Sequence, residues 1–235
     1  MATTRKTIVA QAQNWVGKKE SNGSFKVIID TYNAVKPLPR GYKVQYDDEW
    51  CATFASALAI ATNALDIIPR ECSCNKMIEQ AQAMGIWQEK DDYVPSPGDF
   101  MLYDWDDKSN YATTDNKGRA DHIGIVEKVS GKTITIIEGN YSASVKRRTK
   151  KVNDRYIRGY IVPKYVPEPE ITFSVGERVK LTSDAVIYGK TKKFSLWVYL
   201  TKLYVREVKG DRIVVSTKKT GAVTGAVHKK HLKKV

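Results

Sequence analysis

The chain has 235 residues, enough for one large domain or for a medium domain followed by a small one. Hydrophobic residues make up 42% of it, which supports a packed core and excludes a disordered chain, and no apolar run is long enough for a membrane-spanning helix. The net charge of +13 is uneven, because residues 167–235 hold 15 Lys and Arg against 6 Asp and Glu (+9), whereas residues 1–166 hold 24 against 20 (+4). This basic excess favours a polyanionic partner, either nucleic acid or an anionic envelope polymer.

The first residues, MATTRKTIVAQAQNWV, lack the apolar core and small-residue cleavage site of a secretory signal. We therefore expect synthesis in the cytosol and another route to any extracellular target. There are three cysteines, an odd number, and Cys72 and Cys74 are only two residues apart with no histidine nearby. A disulfide framework or a zinc site is not expected from this pattern, and loop or core packing is the preferred interpretation of both residues.

Apolar residues recur at helical spacing in four segments of the first part of the chain. The pattern predicts helices over residues 4–15, 24–34, 51–63 and 75–84, with loops over 36–46 and 65–73. Asn75 is the predicted N-cap of the last helix, which Gly85 closes.

After residue 95 the pattern changes to short β-branched runs. A turn and strand are predicted over 95–105, a polar exposed loop over 106–121, and further strands over 146–151 and 156–162. The runs 122–129 and 133–140 flank Ser130-Gly131-Lys132 and predict a hairpin. Helices followed by an antiparallel sheet define an α+β layout.

The prolines of the segment PKYVPEPE predict a stiff linker. Short β-type runs follow at 175–181, 185–188, 196–208 and 212–216, which predict a small all-β barrel. The expected organisation is a first domain over residues 1–165, a proline-rich linker over 166–171 and a second domain over 172–235.

The stretch DDEWCATFASAL places Cys51 between an acidic run and an apolar, small-residue helix. A thiol in the first turn of a helix lies at the positive end of the helix macrodipole, which favours the thiolate. The acids at Asp47-Asp48-Glu49 oppose that effect, so activation of Cys51 as a nucleophile requires a nearby histidine base.

His122 is the candidate base, since His228 and His231 lie in the lysine-rich tail, where a solvated surface is expected. The next strand ends at Glu138-Gly139-Asn140. Because strand side chains alternate between faces, Glu138 and Asn140 face His122 only if Gly124 pairs with Glu138. That register needs an odd-length loop, such as Ser130-Gly131-Lys132, or an equivalent bulge; a two-residue turn without a bulge puts Glu138 on the opposite face.

These residues together predict a catalytic constellation for amide hydrolysis. Cys51 attacks a carbonyl carbon, His122 transfers the proton, and Glu138 or Asn140 fixes the imidazole tautomer. The backbone N–H of Cys51 is the predicted oxyanion donor, with Gln45 or Tyr46 as a second one. Trp50, Tyr103 and Trp105 are candidates for lining the substrate groove, with core packing as the alternative for each.

The motifs WCATF, PGDF, DHIGIVEKV and IIEGNYS, in that order, resemble the CHAP domain, the cysteine- and histidine-dependent amidohydrolase/peptidase family. The resemblance covers roughly residues 1–165 and includes IIPRECSCNKMI, a segment similar to one in CHAP proteins of Gram-positive phages. It implies a papain-like fold that hydrolyses peptidoglycan peptides, with Cys51 as nucleophile, His122 as base, and Glu138 and Asn140 as polar partners. Residues 171–235 are similar to bacterial SH3-type wall-binding domains, so the two-part plan resembles a phage endolysin.

The resemblance implies a monomer that binds bacterial peptidoglycan and anionic wall polymers, without nucleic acid or membrane insertion. It also implies action on the cell wall after release from the host cytoplasm, through a holin or from outside. Some CHAP domains bind calcium through spaced aspartates before the nucleophile. The contiguous Asp47-Asp48-Glu49 suits calcium less well, so no cofactor or metal is expected, with calcium as the alternative.

Two other functions remain open from the residues. A non-enzymatic protein would use the basic C-terminal barrel to hold nucleic acid, with Lys190, Lys192, Lys193, Phe194 and Trp197 as the contact residues. A papain-like protease or gamma-D-glutamyl peptidase would keep the chemistry and cut a different bond.

Overall fold

The computed structural model describes residues 3–108 and 115–235. These residues form two compact units that divide between Glu168 and Pro169, inside the segment predicted as a linker. Among the described residues, no helix combines the length and the apolar character needed to cross a bilayer.

The first unit begins with four helices: α1 (Arg5–Trp15), α2 (Lys26–Ala34), α3 (Cys51–Ala61) and α4 (Cys74–Ala83). Every residue of α3 from Cys51 to Ala59 is buried, because the sequence CATFASALAIA is apolar or small on all sides. Helix α3 therefore runs through the core and contacts α1, α2, α4 and the central sheet. The four predicted helices are present, with ends shifted by two residues or fewer.

Helix α4 begins one residue earlier than predicted, and Asn75 is not its N-cap. Ser73 occupies the cap position, without a side-chain hydrogen bond. The Asn75 side chain instead donates to the Ala120 carbonyl at 3.2 Å and accepts from the Ala120 N–H at 3.0 Å. This pairing ties the start of α4 to the chain two residues before His122.

The sheet of the first unit has six strands: β1 (Trp87–Gln88), β2 (Phe100–Tyr103), β3 (His122–Ser130), β4 (Thr133–Glu138), β5 (Lys146–Lys151) and β6 (Ile157–Ile161). Their order is β1-β6-β2-β3-β4-β5, and every pair is antiparallel. The predicted α+β layout is confirmed, with the short β1 as an addition. Residues 109–114 of the predicted loop over 106–121 lie outside the described residues.

The two faces of this sheet belong to different hydrophobic cores. Phe100, Leu102 and Ile137 pack with the helices, whereas Met101, Tyr103 and Ile136 pack in a second cluster on the other face. Strand alternation puts His122 and Glu138 on the same face as that second cluster.

The β3–β4 hairpin has the register that the sequence predicts, with Gly124 opposite Glu138. The turn itself has two residues, Gly131 and Lys132, and not the predicted three. The register shifts between Val126 and Lys128, where Glu127 forms a bulge. The extra residue restores the parity that a two-residue turn alone would reverse.

The second unit contains a short helix and five strands: β7 (Arg178–Leu181), α5 (Leu196–Leu200), β8 (Leu203–Lys209), β9 (Arg212–Ser216), β10 (Gly225–His228) and β11 (Leu232–Lys234). They form one antiparallel sheet in the order β10-β9-β8-β7-β11. A separate core that includes Val179, Leu203 and Val215 holds this unit together.

Two predicted strands of the second unit are wrong. Leu196–Leu200 is helical, because LWVYL is a short apolar run that fits either structure until its tertiary contacts decide. Val198 is buried, and the Tyr199 hydroxyl donates to the Ala185 carbonyl at 2.6 Å. The run over 185–188 makes only isolated bridges, through Val186 and Ile187.

Candidate active site

Cys51 is the first residue of α3 and is 7% exposed. Its sulfur lies 3.7 Å from the Cys74 sulfur at the start of α4, and 4.0 Å from the Asp121 carbonyl oxygen just before β3. The N-termini of α3 and α4 and the start of β3 therefore lie close together around the Cys51 thiol.

His122 is the first residue of β3 and lies between a thiol and a carboxylate. Its Nε2 is 3.1 Å from Glu138 Oε2, and the imidazole and the Cys51 thiol each shift the pKa of the other. His122 thus interacts with Cys51 on α3 and with Glu138 on β4, which is the arrangement that a nucleophile, a base and an orienting group require.

Glu138 is completely buried and accepts hydrogen bonds from two further side chains. The Tyr103 hydroxyl donates to Oε1 at 2.7 Å. The Arg148 Nε on β5 donates to Oε1 at 2.8 Å and to Oε2 at 3.0 Å. A buried carboxylate is costly unless it is paired, and these three partners keep Glu138 charged and fixed in position.

The hydrogen bonds set the charges of the site. The pKa of Cys51 is well below its ordinary value, chiefly because the Cys74 thiol hydrogen-bonds it; burial opposes this effect, and His122 adds to it. Burial by itself lowers the pKa of His122, but hydrogen bonds to Cys51 and Glu138 raise it to about 9. Burial likewise raises the pKa of Glu138, and His122, Tyr103 and Arg148 more than offset it, leaving that pKa lowered. The arrangement therefore favours a thiolate–imidazolium pair.

The aromatic candidates separate into two kinds. Trp105 is half-buried and stacks on Tyr103 with ring centroids 4.6 Å apart, and its own centroid is 6.3 Å from that of His122. Trp105 is thus close enough to the imidazole to line a groove, and Tyr103 supports it from the core. Trp50 is fully buried, so its prediction as a groove residue is wrong: its ring packs on Phe25, and its indole N–H donates to Glu20 at 2.8 Å.

The structure does not bring Asn140 to His122. The chain leaves the strand after Glu138, and Asn140 adopts a left-handed conformation with φ of 58°. Its side-chain amide donates to Glu49, in the acidic run before Cys51. Of the two residues predicted to fix the tautomer, Glu138 contacts the imidazole, and Asn140 instead ties the end of β4 to the segment before α3.

The two candidates for a second oxyanion donor have other partners. The Gln45 N–H donates to Asp48 at 2.7 Å, and its side-chain amide donates to the Lys43 carbonyl at 2.6 Å. The Tyr46 hydroxyl donates to Asp30 at 2.7 Å, and 46% of the Tyr46 surface is exposed. The Gln45 donors are thus committed to their own loop, which contradicts their predicted use at Cys51.

The acidic run before Cys51 does not fit a calcium site. Asp48 accepts hydrogen bonds from Gln45 and Tyr42, and Glu49 accepts one from Asn140. These carboxylates stabilise the turn and its link to β4, and do not converge on a common point. Within residues 3–108 and 115–235, no group of three or more His, Cys, Asp or Glu side chains is arranged to hold a metal ion.

Sequence reasoning did not identify two residues of the site, Arg148 and Cys74. Arg148 lies opposite Ile136 in the β4–β5 register, so its side chain is on the same face of the sheet as Glu138. The alternation of side chains along the strands could have predicted this placement. Cys74 had no such signal, because its approach to Cys51 depends on how α4 packs beside α3.

The comparisons with known proteins agree with the position of this site. The CHAP domain family matches residues 41–140, a segment that contains Cys51, His122, Glu138 and Asn140. No curated protein matches the chain.

Two solved structures are similar to the chain. A crystal structure of Ly7917 with the hydrolysing product of MDP is 15% identical with a TM-score of 0.41, and the alignment covers 96% of this chain and 92% of that one. A second crystal structure of Ly7917 is 17% identical with a TM-score of 0.39, covering 96% and 91%.

Proposed function

We propose that this protein is a peptidoglycan hydrolase that cleaves an amide bond of cell-wall peptides by cysteine-based nucleophilic catalysis. It acts as an N-acetylmuramoyl-L-alanine amidase or as an endopeptidase. The observation that carries the proposal is that His122 lies 3.1 Å from the buried Glu138 and lowers the pKa of Cys51, within the segment that matches the CHAP domain.

The first half of the reaction forms an acyl-enzyme. The Cys51 thiolate attacks the carbonyl carbon of the scissile amide, and negative charge develops on the carbonyl oxygen. The backbone N–H of Cys51, at the first position of α3, has no acceptor within the helix and stabilises that charge. The His122 imidazolium donates its proton to the leaving amine, which breaks the C–N bond.

The second half releases the product. Neutral His122 removes a proton from water, which attacks the thioester and restores the Cys51 thiolate and the imidazolium. Glu138 holds the ring in one orientation throughout, and Tyr103 and Arg148 hold Glu138. Trp105, which stacks on Tyr103, forms one wall of the approach to His122.

The second unit targets the enzyme to the wall in this proposal. The charge of +9 on residues 167–235 suits anionic wall polymers, and Leu196, Trp197 and Leu200 expose 76%, 52% and 73% of their surfaces. An SH3-like wall-binding module joined to a CHAP-like enzyme makes an endolysin-type protein, which reaches the wall after release from the producing cell.

The charge of the second unit also supports a nucleic-acid-binding alternative, but Phe194, one of the two aromatic residues proposed to stack on bases, is not freely exposed. Phe194 is partly buried against the core of that unit. Its ring also packs closely on Gly225, because a Cβ at that position would lie only 2.8 Å from Phe194 Cε1. Trp197 is the better exposed of the two rings proposed to stack on bases.

Substitution of Cys51 tests the enzymatic proposal. Cys51→Ala removes the nucleophile, so we expect the release of new termini from purified peptidoglycan to fall at least about 1,000-fold. Mass analysis of the products of the unsubstituted protein separates amidase, endopeptidase and gamma-D-glutamyl peptidase cleavage.

Cys72→Ser is the matched control, because Cys72 is half-buried beside Arg40 and Glu71. We expect it to retain hydrolysis. Undiminished hydrolysis by a folded Cys51→Ala protein would overturn the proposal, as would single-stranded DNA binding without wall binding or hydrolysis in the unsubstituted protein.

A further inference from the structure

The Cys74 thiol lowers the pKa of Cys51, but it takes no part in the bonds that form and break during the proposed hydrolysis. Cys74 is the first residue of α4 and is 6% exposed, and its sulfur lies 3.7 Å from the Cys51 sulfur. Both cysteines are free thiols. The two sulfurs are in van der Waals contact, and each lies in the first turn of its own helix. Their separation must shorten by about 1.7 Å to reach the disulfide bond length of about 2.05 Å.

We propose that Cys51 and Cys74 form a reversible disulfide when a peroxide oxidises Cys51, with Cys74 as the resolving thiol. The bond would block the nucleophile and protect it from irreversible oxidation. The inhibitory consequence rests on the proposed function of Cys51, whereas formation of the bond rests on the two sulfur positions alone.

The reaction balances with a peroxide as the oxidant. The Cys51 thiolate attacks one oxygen of hydrogen peroxide, the O–O bond breaks, and the departing hydroxide takes the His122 proton to form water. Cys51 is now a sulfenic acid. The Cys74 sulfur attacks the Cys51 sulfur, the S–O bond breaks, and the hydroxyl leaves as water with the proton of Cys74. Two thiols lose two electrons in total, and the peroxide gains them.

The surroundings of Cys74 suit a thiol that acts only after its partner is oxidised. The pKa of Cys74 is well above its ordinary value, first because of its hydrogen bond to Cys51, then because of burial and the Cys51 charge. Oxidation to the sulfenic acid removes the negative charge of Cys51. Cys74 then loses its proton more readily, at the moment when it has a sulfur to attack.

Mass spectrometry of the full-length protein tests the proposal. The reduced protein is treated with hydrogen peroxide, its remaining thiols are alkylated, and it is digested with trypsin without reduction. We expect an intact mass lower by about 2 Da before alkylation, and a peptide of residues 44–70 linked to residues 71–76. Dithiothreitol should release the link and restore wall hydrolysis.

Single cysteine variants assign the link, since residues 71–76 contain both Cys72 and Cys74. Cys72→Ser should keep the link. Cys74→Ser and Cys74→Ala, whose folding is checked by thermal unfolding, should lose it and accumulate sulfinic acid on Cys51, a gain of about 32 Da that dithiothreitol does not reverse.

Three results would overturn the proposal: oxidation of Cys51 in the unsubstituted protein to sulfinic acid without a link, loss of the link in Cys72→Ser, or a link in Cys74→Ser. The masses do not depend on activity. A Cys51–Cys74 link that forms while hydrolysis continues would therefore contradict the proposed nucleophile and leave the disulfide established.

Discussion

Glu138 is a buried carboxylate whose two oxygens contact Tyr103, His122 and Arg148. Of these partners, only His122 reaches Cys51. The other two neutralise and fix the carboxylate, so the orientation of the imidazole depends on a network that extends over β2, β3, β4 and β5. Removal of the carboxylate charge should therefore affect catalysis more than binding.

Glu138→Gln tests this role. The amide keeps the shape and can still accept a hydrogen bond, but it lacks the negative charge that stabilises the imidazolium. We therefore expect kcat/KM for peptidoglycan fragments to fall roughly 100- to 10,000-fold, mainly through kcat. Glu127→Gln is the matched control, because Glu127 also pairs with an arginine of β5, Arg147, but has no contact with His122 among its hydrogen bonds. Equal losses in the two variants would contradict a specific role for Glu138.

The pH dependence of kcat/KM follows from the charges of Cys51 and His122. The Cys51 pKa is lowered and the His122 pKa is raised to about 9, so the ion pair persists between them. We expect a plateau through neutral pH and a fall as pH rises through about 9, where His122 loses the proton that the leaving amine needs. In Glu138→Gln this alkaline limb should move to lower pH, and an unchanged limb would argue against the His122 assignment.

The raised pKa of His122 also makes the stability of the folded protein depend on pH. Because the folded pKa of His122 lies above the ordinary value of 6.5, protonation stabilises the folded state. That contribution is fully present below pH 6.5 and disappears as pH rises through about 9.

At the level of single residues, the sequence was enough to predict which side chains share a face of two neighbouring strands. It was not enough to predict which side chains meet between two helices. Alternation along β3 and β4 led to His122 and Glu138. It misplaced Asn140, because Asn140 leaves the strand with a positive φ that alternation does not describe. The Cys51–Cys74 contact arises from the packing of α3 and α4, which no local pattern encodes.

The β3–β4 hairpin carries His122 and Glu138, and Gly124 lies directly opposite Glu138 in it. A Cβ on Gly124 would lie 2.6 Å from Glu138 Cγ, 2.5 Å from Ile136 Cγ2 and 3.0 Å from the Ile137 carbonyl oxygen. The backbone oxygen cannot move aside independently. The absence of a side chain at position 124 therefore leaves the room that Glu138 occupies.

Gly124→Ala should displace Glu138 and lower both stability and activity. Overpacking of this kind costs about 1–3 kcal/mol in the free energy of unfolding, measurable by chemical denaturation. Gly131→Asn is the control: Gly131 has a φ of 57° in the turn, a Cβ there would meet nothing within 4 Å, and Asn tolerates that conformation. Unaltered stability and activity in the Gly124→Ala variant would contradict the steric argument.

Among the elements, long periodic segments were predictable and short apolar runs were not. The helices α1 to α4 have sustained patterns, and their predicted ends differ little from the observed ones. Leu196–Leu200 is only five residues long, so contacts of Val198 and Tyr199 within the second unit decide its helical form. The Glu127 bulge was foreseen only as one of two ways to obtain the required register.

At the scale of the whole molecule, most of the net basic charge follows the candidate catalytic residues in the sequence, with +9 on residues 167–235 and +4 on residues 1–166. Lys190, Lys192 and Lys193 are exposed in the second unit, close in sequence to the exposed Leu196 and Trp197. If this unit binds anionic wall polymers, its contribution should depend on charge and on ionic strength.

Replacing Lys190, Lys192 and Lys193 with Glu in the full-length protein tests that idea. The change lowers the charge of residues 167–235 from +9 by six units to +3. We expect wall binding in a sedimentation assay to weaken and to lose much of its salt dependence, while hydrolysis of a small soluble peptide substrate stays unchanged.

The control places the same charge change on three exposed lysines of the first unit, Lys36, Lys128 and Lys132. Equal loss of wall binding in both triple variants would show that only the net charge matters. A gel shift with single-stranded DNA that depends on Lys190, Lys192 and Lys193, without any wall binding, would favour the nucleic-acid alternative.

The two hydrophobic cores of the first unit and the core of the second have no residue in common. The chain passes from one unit to the other once, between Glu168 and Pro169. Genetic recombination at that junction divides none of the three cores, because each lies wholly before or wholly after it in the chain. Evolution can therefore exchange the segment on either side of the junction without splitting a hydrophobic core.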